Sequence, residues 1–377
     1  MTERLSTLLH DEVSTLDVPP PAAAAVLSRG RGLRRRRRAV TWGASLAALA
    51  VIGGAAMTAG SLGGADTATD DAPVAAPPKA GPAFSIGTTV YLDGGATTAR
   101  IDDKSVKSLY YTSAGLLVRH GNNPYSDGGG PQRFSLVTPD GTVKPIGVVT
   151  EETVAATDPE QPYLAYAETA GDTTEVVLRD LRDDTEAARI ALPPGLSWGG
   201  WPAPPVALSG DLVYVGTDDT MRAVDWRTGE ISEVDTVDPG YPDIRGGHAV
   251  VGDGQHTSVV DVASGETLLT LPEDEFIILS PDGAYAVSFG SWQDESQETI
   301  VYDLADRGKV SLGVHDSVGW TIDDELFAIE GRELVTCEPT TGDCTTSSLD
   351  LTVQPDSSQD PEDFTDDLKL GGVTYES

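Results

Sequence analysis

Two neighbouring stretches, FIILSPDGAYAVSF (Phe276–Phe289) and VYDLADRGKVSL (Val301–Leu312), set the architecture of this chain. In each, short runs rich in Val, Ile, Leu, Tyr and Phe flank a turn holding Asp and Gly, the pattern of a β-hairpin. The second adds an acidic residue at the end of its first strand. There a carboxylate can accept hydrogen bonds from turn N–H groups, and a glycine can take positive φ. The same unit recurs as AVDWRTGEISEV (Ala223–Val234) and VVDVASGETLLTL (Val259–Leu271). Looser copies are LRDLRDDTEAARIAL (Leu178–Leu192), LVTPDGTVKPI (Leu136–Ile146) and VTCEPTTGDCTTSSL (Val335–Leu349). A strand pair runs ahead of the copies, as in VALSGDLVYVGT (Val206–Thr217) and VGWTIDDELFAIE (Val318–Glu330). Each unit thus supplies four antiparallel strands.

Units begin near Val106, Thr153, Val206, Asp243, Glu275 and Ser317. Their spacing brackets the ~40–45 residues of a propeller blade. Ahead of them, Ile86–Ile101 makes one more hairpin that lacks its first two strands, and Leu368–Tyr375 is the candidate source of the missing strands. The expectation is an all-β chain folded as a six- or seven-bladed β-propeller, a ring closed from both chain ends so that no sheet edge is left open. A β-sandwich or a pair of small barrels is the competing architecture. LSPDGAYAV (Leu279–Val287) followed by VYDL resembles the TolB-like and WD40-like propeller repeats of bacterial envelope proteins. The resemblance is good over Val206–Leu349 and looser between Tyr110 and Leu192. Only one unit has the Ser-Pro-Asp-Gly turn, with Thr138–Gly141 (TPDG) as a near copy. Gly-His occurs once, at Gly247–His248, and Trp-Asp appears only in reverse, at Asp225–Trp226.

Upstream of the repeats the chain changes character. Ala39–Leu62 (AVTWGASLAALAVIGGAAMTAGSL) contains no ionisable side chain. As a helix it would span about 36 Å, enough to cross a hydrocarbon core of about 30 Å. Arg34, Arg35, Arg36, Arg37 and Arg38 precede it, and Asp66, Asp70 and Asp71 follow. Five consecutive guanidinium groups hold their end in the cytoplasm, which leaves the C-terminal part outside. The competing reading is a cleaved twin-arginine signal at Arg36–Arg37, although the apolar run exceeds the length of a signal peptide's apolar region. The expected organisation is a basic, partly helical cytoplasmic leader at 1–38, a single transmembrane helix at 39–64 and a flexible linker at 65–83. The propeller ectodomain follows at 84–352, then an acidic tail with the candidate closing strand at 353–377. The leader resembles those of actinobacterial single-pass membrane proteins, some encoded beside extracytoplasmic-function sigma factors.

The whole chain of 377 residues has 60 Asp and Glu against 25 Lys and Arg. Eight of the arginines lie in residues 1–38, so the remainder is more acidic still. Such a surface repels phosphate backbones, and nucleic acid is excluded as a partner. The expected partners are the lipid bilayer and a protein or cell-wall ligand.

Two cysteines, Cys337 and Cys344, flank the turn EPTTGD, where an oxidising compartment would join them as a disulfide. His120, His248, His256 and His315 show no metal-ligand spacing and read as turn or core residues, and no nucleophile elbow, Walker or dinucleotide motif is present. No cofactor or metal is therefore assigned. Asp140, Asp253 and Asp282 could offer carboxylates to Ca²⁺, but turn chemistry accounts for them. Candidate recognition aromatics are Tyr125 in NNPYSDGGG (Asn122–Gly130) and Trp198 and Trp201 in LSWGGWPAPP (Leu196–Pro205), with packing between blades as the equal alternative for the tryptophans. The leading functional reading is an anchored extracytoplasmic propeller acting as a non-enzymatic binding or sensor module. The alternatives are a metal-dependent hydrolase or lyase using the central channel, and signalling through residues 1–33 to a cytoplasmic regulator such as a sigma factor.

Overall fold

The computed structural model describes residues 81–373 apart from 126–128, 152–153, 172, 273–274, 292–297, 314–316 and 352–367. The basic leader with Arg34–Arg38, the apolar anchor, nearly all of the linker, His315 and most of the acidic tail lie outside the described residues. Among the described residues no helix is long and apolar enough to cross a membrane.

Short β-rich segments pair into seven four-stranded antiparallel sheets. Blade 1 opens with β1 (Phe84–Ile86), β2 (Thr89–Leu92) and β3 (Thr97–Arg100). Blade 2 holds β4 (Ser105–Thr112), β5 (Gly115–Gly121), β6 (Gln132–Val137) and β7 (Val143–Thr150). Blade 3 holds β8 (Ala156–Thr157), β9 (Tyr163–Ala170), β10 (Thr173–Asp180) and β11 (Thr185–Ala191). Blade 4 comprises β12 (Val206–Ser209), β13 (Leu212–Gly216), β14 (Met221–Asp225) and β15 (Ile231–Val234). Blade 5 comprises β16 (Ile244–Arg245), β17 (His248–Gly252), β18 (His256–Asp261) and β19 (Thr267–Pro272). Blade 6 contains β20 (Glu275–Leu279), β21 (Tyr285–Ser291), β22 (Ile300–Asp303) and β23 (Lys309–Ser311). Blade 7 contains β24 (Gly319–Trp320), β25 (Leu326–Glu330), β26 (Glu333–Cys337) and β27 (Cys344–Ser348). The last strand, β28 (Leu368–Leu370), returns to pair with β1 through Phe84↔Leu370, Ser85↔Lys369 and Ile86↔Leu368.

The ring is therefore a seven-bladed propeller closed by strands from both ends. The sequence expectation for its first sheet needs one correction. Ile86–Ile101 lacks one strand, not two, because Phe84–Ile86 is itself a strand, too short at three residues to display an alternating pattern.

Strand side chains alternate between the two sheet faces, so every blade is apolar on both sides and buries each against a neighbour. The buried apolar side chains accordingly fall into seven clusters, one per blade interface. Val176 and Leu178 meet Val206 and Val213 between blades 3 and 4, and Phe84 and Tyr91 meet Phe327 and Leu334 where blade 1 closes on blade 7. No single central core exists; the middle is a channel walled by the first strand of each blade.

The recurrent acidic residue does what its position suggested. Asp225 Oδ1 accepts from the N–H groups of Arg227 and Thr228, Asp261 Oδ1 from Ser264, Asp303 Oδ1 from Ala305 and Asp306, and Asp180 Oδ1 from Arg182. Four residues after each acid the chain turns left-handed: Gly229 (φ 77°), Gly265 (φ 72°), Arg307 (φ 62°) and Asp184 (φ 60°). Asp184 in the glycine position is one reason that Leu178–Leu192 reads as a looser copy, whereas Val301–Leu312 keeps a glycine next to Arg307, at Gly308. SPDG and TPDG use the same chemistry at different places. Asp282 caps the inner β20–β21 turn, whereas Asp140 caps the outer β6–β7 turn.

Because strands alternate in direction, the turn after the first strand of a blade and the turn after its third emerge on one face of the disc. The start of β1 and the end of β28 emerge there too. Gly94 N donates to Pro82 O and Gly371 N donates to Ala83 O, so both chain ends meet at that face.

Candidate functional site

The channel encloses a cavity of about 410 Å³. Leu109 and Tyr110 of β4, Ala156 of β8, Val206–Ser209 of β12 and Ile244–Arg245 of β16 wall it, and Pro281, Asp282, Gly372 and Val373 complete its rim. Among the described residues four acids line it, Asp158, Glu160, Asp243 and Asp282, against a single cation, Arg245.

These groups differ in how they are held. Asp158 is tied to turns: its Oδ1 accepts from Glu160 N at 2.9 Å and its Oδ2 from Gly210 N at 2.8 Å. Asp282 Oδ1 accepts from Ser280 Oγ and Ala284 N at 2.8 and 2.7 Å. Arg245 reaches to the closing segment, where Nη1 donates to Gly372 O at 2.6 Å. Asp243 differs: it is half-buried at the cavity wall, and burial pushes its pKa up against the opposing charge of Arg245. Burial likewise pulls the Arg245 guanidinium down, with Asp243 opposing.

Beside the rim, Asp324 at the β24–β25 turn faces Asp282. Burial, and then the Asp282 carboxylate, push the Asp324 carboxyl up to about 8. At neutral pH the two carboxyls therefore share a proton. A folded-state pKa above the unfolded value of about 4 means that the folded protein holds the extra proton, so stability falls as pH rises between about 4 and 8. Asp324 also sits at φ 62°, a conformation that Asn tolerates well. Asp324→Asn, which keeps a donor toward Asp282, is expected to flatten that decline and to stabilise the protein at pH 8 by on the order of 2 kcal/mol. Urea unfolding across this pH range measures it; an unchanged slope would refute the proton-sharing pair.

Blade 2 contains a second polar cluster that local sequence spacing did not reveal. Asp103, His120 and Ser135 form a relay, with His120 Nδ1 2.6 Å from Asp103 Oδ2 and Nε2 3.0 Å from Ser135 Oγ. Burial raises the Asp103 carboxyl, but hydrogen bonds from Arg133 and His120 outweigh it and hold the group at about 2. Burial lowers the His120 pKa despite Asp103, so the neutral imidazole donates from Nδ1 to Asp103 and accepts from Ser135. The order of groups is that of a nucleophilic triad. Ser135 is only 4% exposed between strands, however, and the relay instead pins β5 and β6 to the connection entering the blade.

The other sequence candidates lie apart from the channel. Tyr125 is exposed at the β5–β6 loop, whose main chain is gripped from within by the buried Lys107, Nζ donating to Tyr125 O and Asn123 Oδ1. Trp198 and Trp201 are half-buried in the β11–β12 connection, where Trp198 Nε1 donates to Trp201 O at 2.9 Å. That connection meets the β13–β14 turn through Asp218 N and Ser197 O, on the face opposite the inner turns. The structure therefore does not bring Tyr125 or the tryptophans to the channel rim. Asp140 and Asp253 are occupied as turn caps. His248 donates from Nδ1 to Gly283 O at 2.7 Å. His256 stands 3.4 Å from Asp253. The described residues contain no group of three or more His, Cys, Asp or Glu side chains that could hold a metal ion. Cys337 and Cys344 are joined across the β26–β27 hairpin, a short loop whose closure contributes about 2–3 kcal/mol.

No protein-family model and no curated protein matches this chain. Solved structures similar to it include apo AztD from Citrobacter koseri, at 12% identity over 78% of this chain and 98% of that one, with a TM-score of 0.47. The periplasmic gluconolactonase PpgL from Pseudomonas aeruginosa is similar at 13% identity over 77% of this chain and 98% of that one, with a TM-score of 0.41. TolB from Acinetobacter baumannii, whose repeats the SPDG unit resembles, is similar at 10% identity over 77% of this chain and 65% of that one, with a TM-score of 0.38.

Proposed function

We propose that this chain is a membrane-anchored, extracytoplasmic β-propeller that acts as a non-enzymatic binding or sensor module, with the central channel as its ligand site. The observation that carries this reading is the channel cavity, open at its rim, where the closing segment, the inner strands and the Asp243–Arg245 pair converge. The Ser135–His120–Asp103 relay lies elsewhere, sealed between strands. Two further features support the placement. A formed disulfide suits an oxidising compartment, and both ends of the propeller leave by the channel-rim face, so the linker at 65–83 would turn that face toward the anchor.

Protease added to intact spheroplasts expressing the full chain is expected to cut the linker and release a propeller-sized fragment that retains the Cys337–Cys344 bond. A chain left whole until the cells are lysed would overturn the reading.

A further inference from the structure

Of the four acids at the channel, Asp158 and Asp282 spend their oxygens on turn N–H groups, and Glu160 is exposed at the rim. Asp243 is the exception. Its main-chain carbonyl accepts from Val250 N, but among the described residues no hydrogen-bond donor to its carboxylate is found, and the residue lines the cavity. A half-buried carboxylate without a donor is costly, and burial pushes its pKa up. Arg245, two residues on, offsets part of that cost, while its own Nη1 is directed to Gly372 O. The space in front of Asp243 thus calls for a cationic donor. Tyr241 adds aromatic surface to the same wall, which favours a cation over a neutral group. A primary ammonium is compact and brings three donors, and an aliphatic stem suits the partly exposed apolar surface of Pro159 and Tyr241. Anionic ligands meet four carboxylates and one engaged arginine, and the strongly acidic ectodomain repels them at longer range as well.

We propose that the channel binds a ligand carrying a primary ammonium on an aliphatic chain, with Asp243 accepting from the ammonium. The assignment rests on the channel being the ligand site and names the chemical class that it takes.

The test titrates 1,5-diaminopentane into the full chain in nanodiscs, with the uncharged pentane-1,5-diol as the matched control. Ionic strength is held at about 0.15 M so that distant charges are screened. Saturable binding of one diamine per chain is expected, with no binding of the diol. Asp243→Asn should weaken the diamine about tenfold or more, a loss of about 1.4 kcal/mol or more. Glu333→Gln removes the same charge from an exposed site on blade 7 and should leave affinity unchanged. Equal weakening by both variants would assign the binding to overall charge and overturn the proposal, as would an unaltered affinity in Asp243→Asn. Should Asp243→Asn fail to fold, the ¹³Cγ resonance of Asp243 in the wild-type chain decides: it must move with diamine and stay still with diol. Saturable binding of the diol in place of the diamine would sink the ammonium assignment yet leave the channel reading standing. The spheroplast experiment reports on placement independently of either result.

Discussion

A chain that stops after residue 367 is expected to lose its cooperative melting transition. The removed β28 is the innermost strand of blade 1, and without it β1 presents an unpaired edge to the channel. Leu370 is 1% exposed and Val373 7%, and burying two such side chains contributes about 3–6 kcal/mol. The strand's continuation is stitched to three other parts of the ring: Gly371 N donates to Ala83 O, Trp320 N to Gly371 O and Arg245 Nη1 to Gly372 O. Each neutral bond contributes about 1 kcal/mol, and stranding a donor on a buried arginine costs more. These losses together rival the net stability of about 5–15 kcal/mol typical of a whole domain. They also fall at the one point where the ring is held by strand pairing between distant segments rather than by chain continuity. Calorimetry of the truncated and full-length chains measures the effect, with Leu370→Ala as the milder comparison at about 2–5 kcal/mol. A truncated chain that melts within a few degrees of the intact one would mean that blade 1 closes without β28.

The parts of this fold legible in the sequence are those encoded within a dozen residues. The outer hairpins announce themselves through an acid, a left-handed position four residues on and two apolar flanks, because turn and capping chemistry are local. Even Arg307 and Asp184, which take the left-handed position without being glycine, leave the rest of the pattern readable. Inner strands are legible where a longer hairpin carries them, as in Val206–Thr217 and Val318–Glu330, whereas β8 and β16, two residues each, carry no period. For the same reason the channel was opaque. Its wall is assembled from short stretches of several blades that are far apart in sequence, and Asp243 and Arg245 look like any acid and base beside a Pro and a Gly. The Asp103–His120–Ser135 relay is not legible because its members are 17 and 15 residues apart, on a connection and two separate strands, with no fixed-spacing motif to mark them. Tyr125, Trp198 and Trp201 were chosen for being aromatic residues in loops, a property that says nothing about which face of a disc the loop occupies.

The largest single-residue effects are expected at two glycines that act as spacers between pieces of backbone. A methyl group on Gly246 would lie 1.5 Å from Asp282 O, and one on Gly216 would lie 1.5 Å from Gly240 O. In both cases the opposing atom is a main-chain carbonyl, which cannot rotate away as a side chain could. Gly246→Ala and Gly216→Ala must therefore push segments apart, and each is expected to cost more than about 4 kcal/mol, the range reserved for disrupted packing or backbone. Two causes are mixed at Gly246, since its φ of +54° is itself left-handed, whereas Gly216 is free of that strain and isolates the steric effect. Gly229→Ala supplies the converse: φ is +77° with nothing within 4 Å of the added methyl, so conformational strain alone should cost about 1–2 kcal/mol. Chemical denaturation of the three variants separates the terms, and a Gly216→Ala loss no larger than that of Gly229→Ala would refute the close approach. Gly246 has one further consequence. It follows Arg245 directly and abuts the turn that carries Asp282, so forcing blades 5 and 6 apart also draws the guanidinium away from Gly372 O. Any Gly246→Ala protein that still folds should therefore bind the diamine less well than Gly216→Ala protein does, although neither glycine carries a side chain that could touch a ligand.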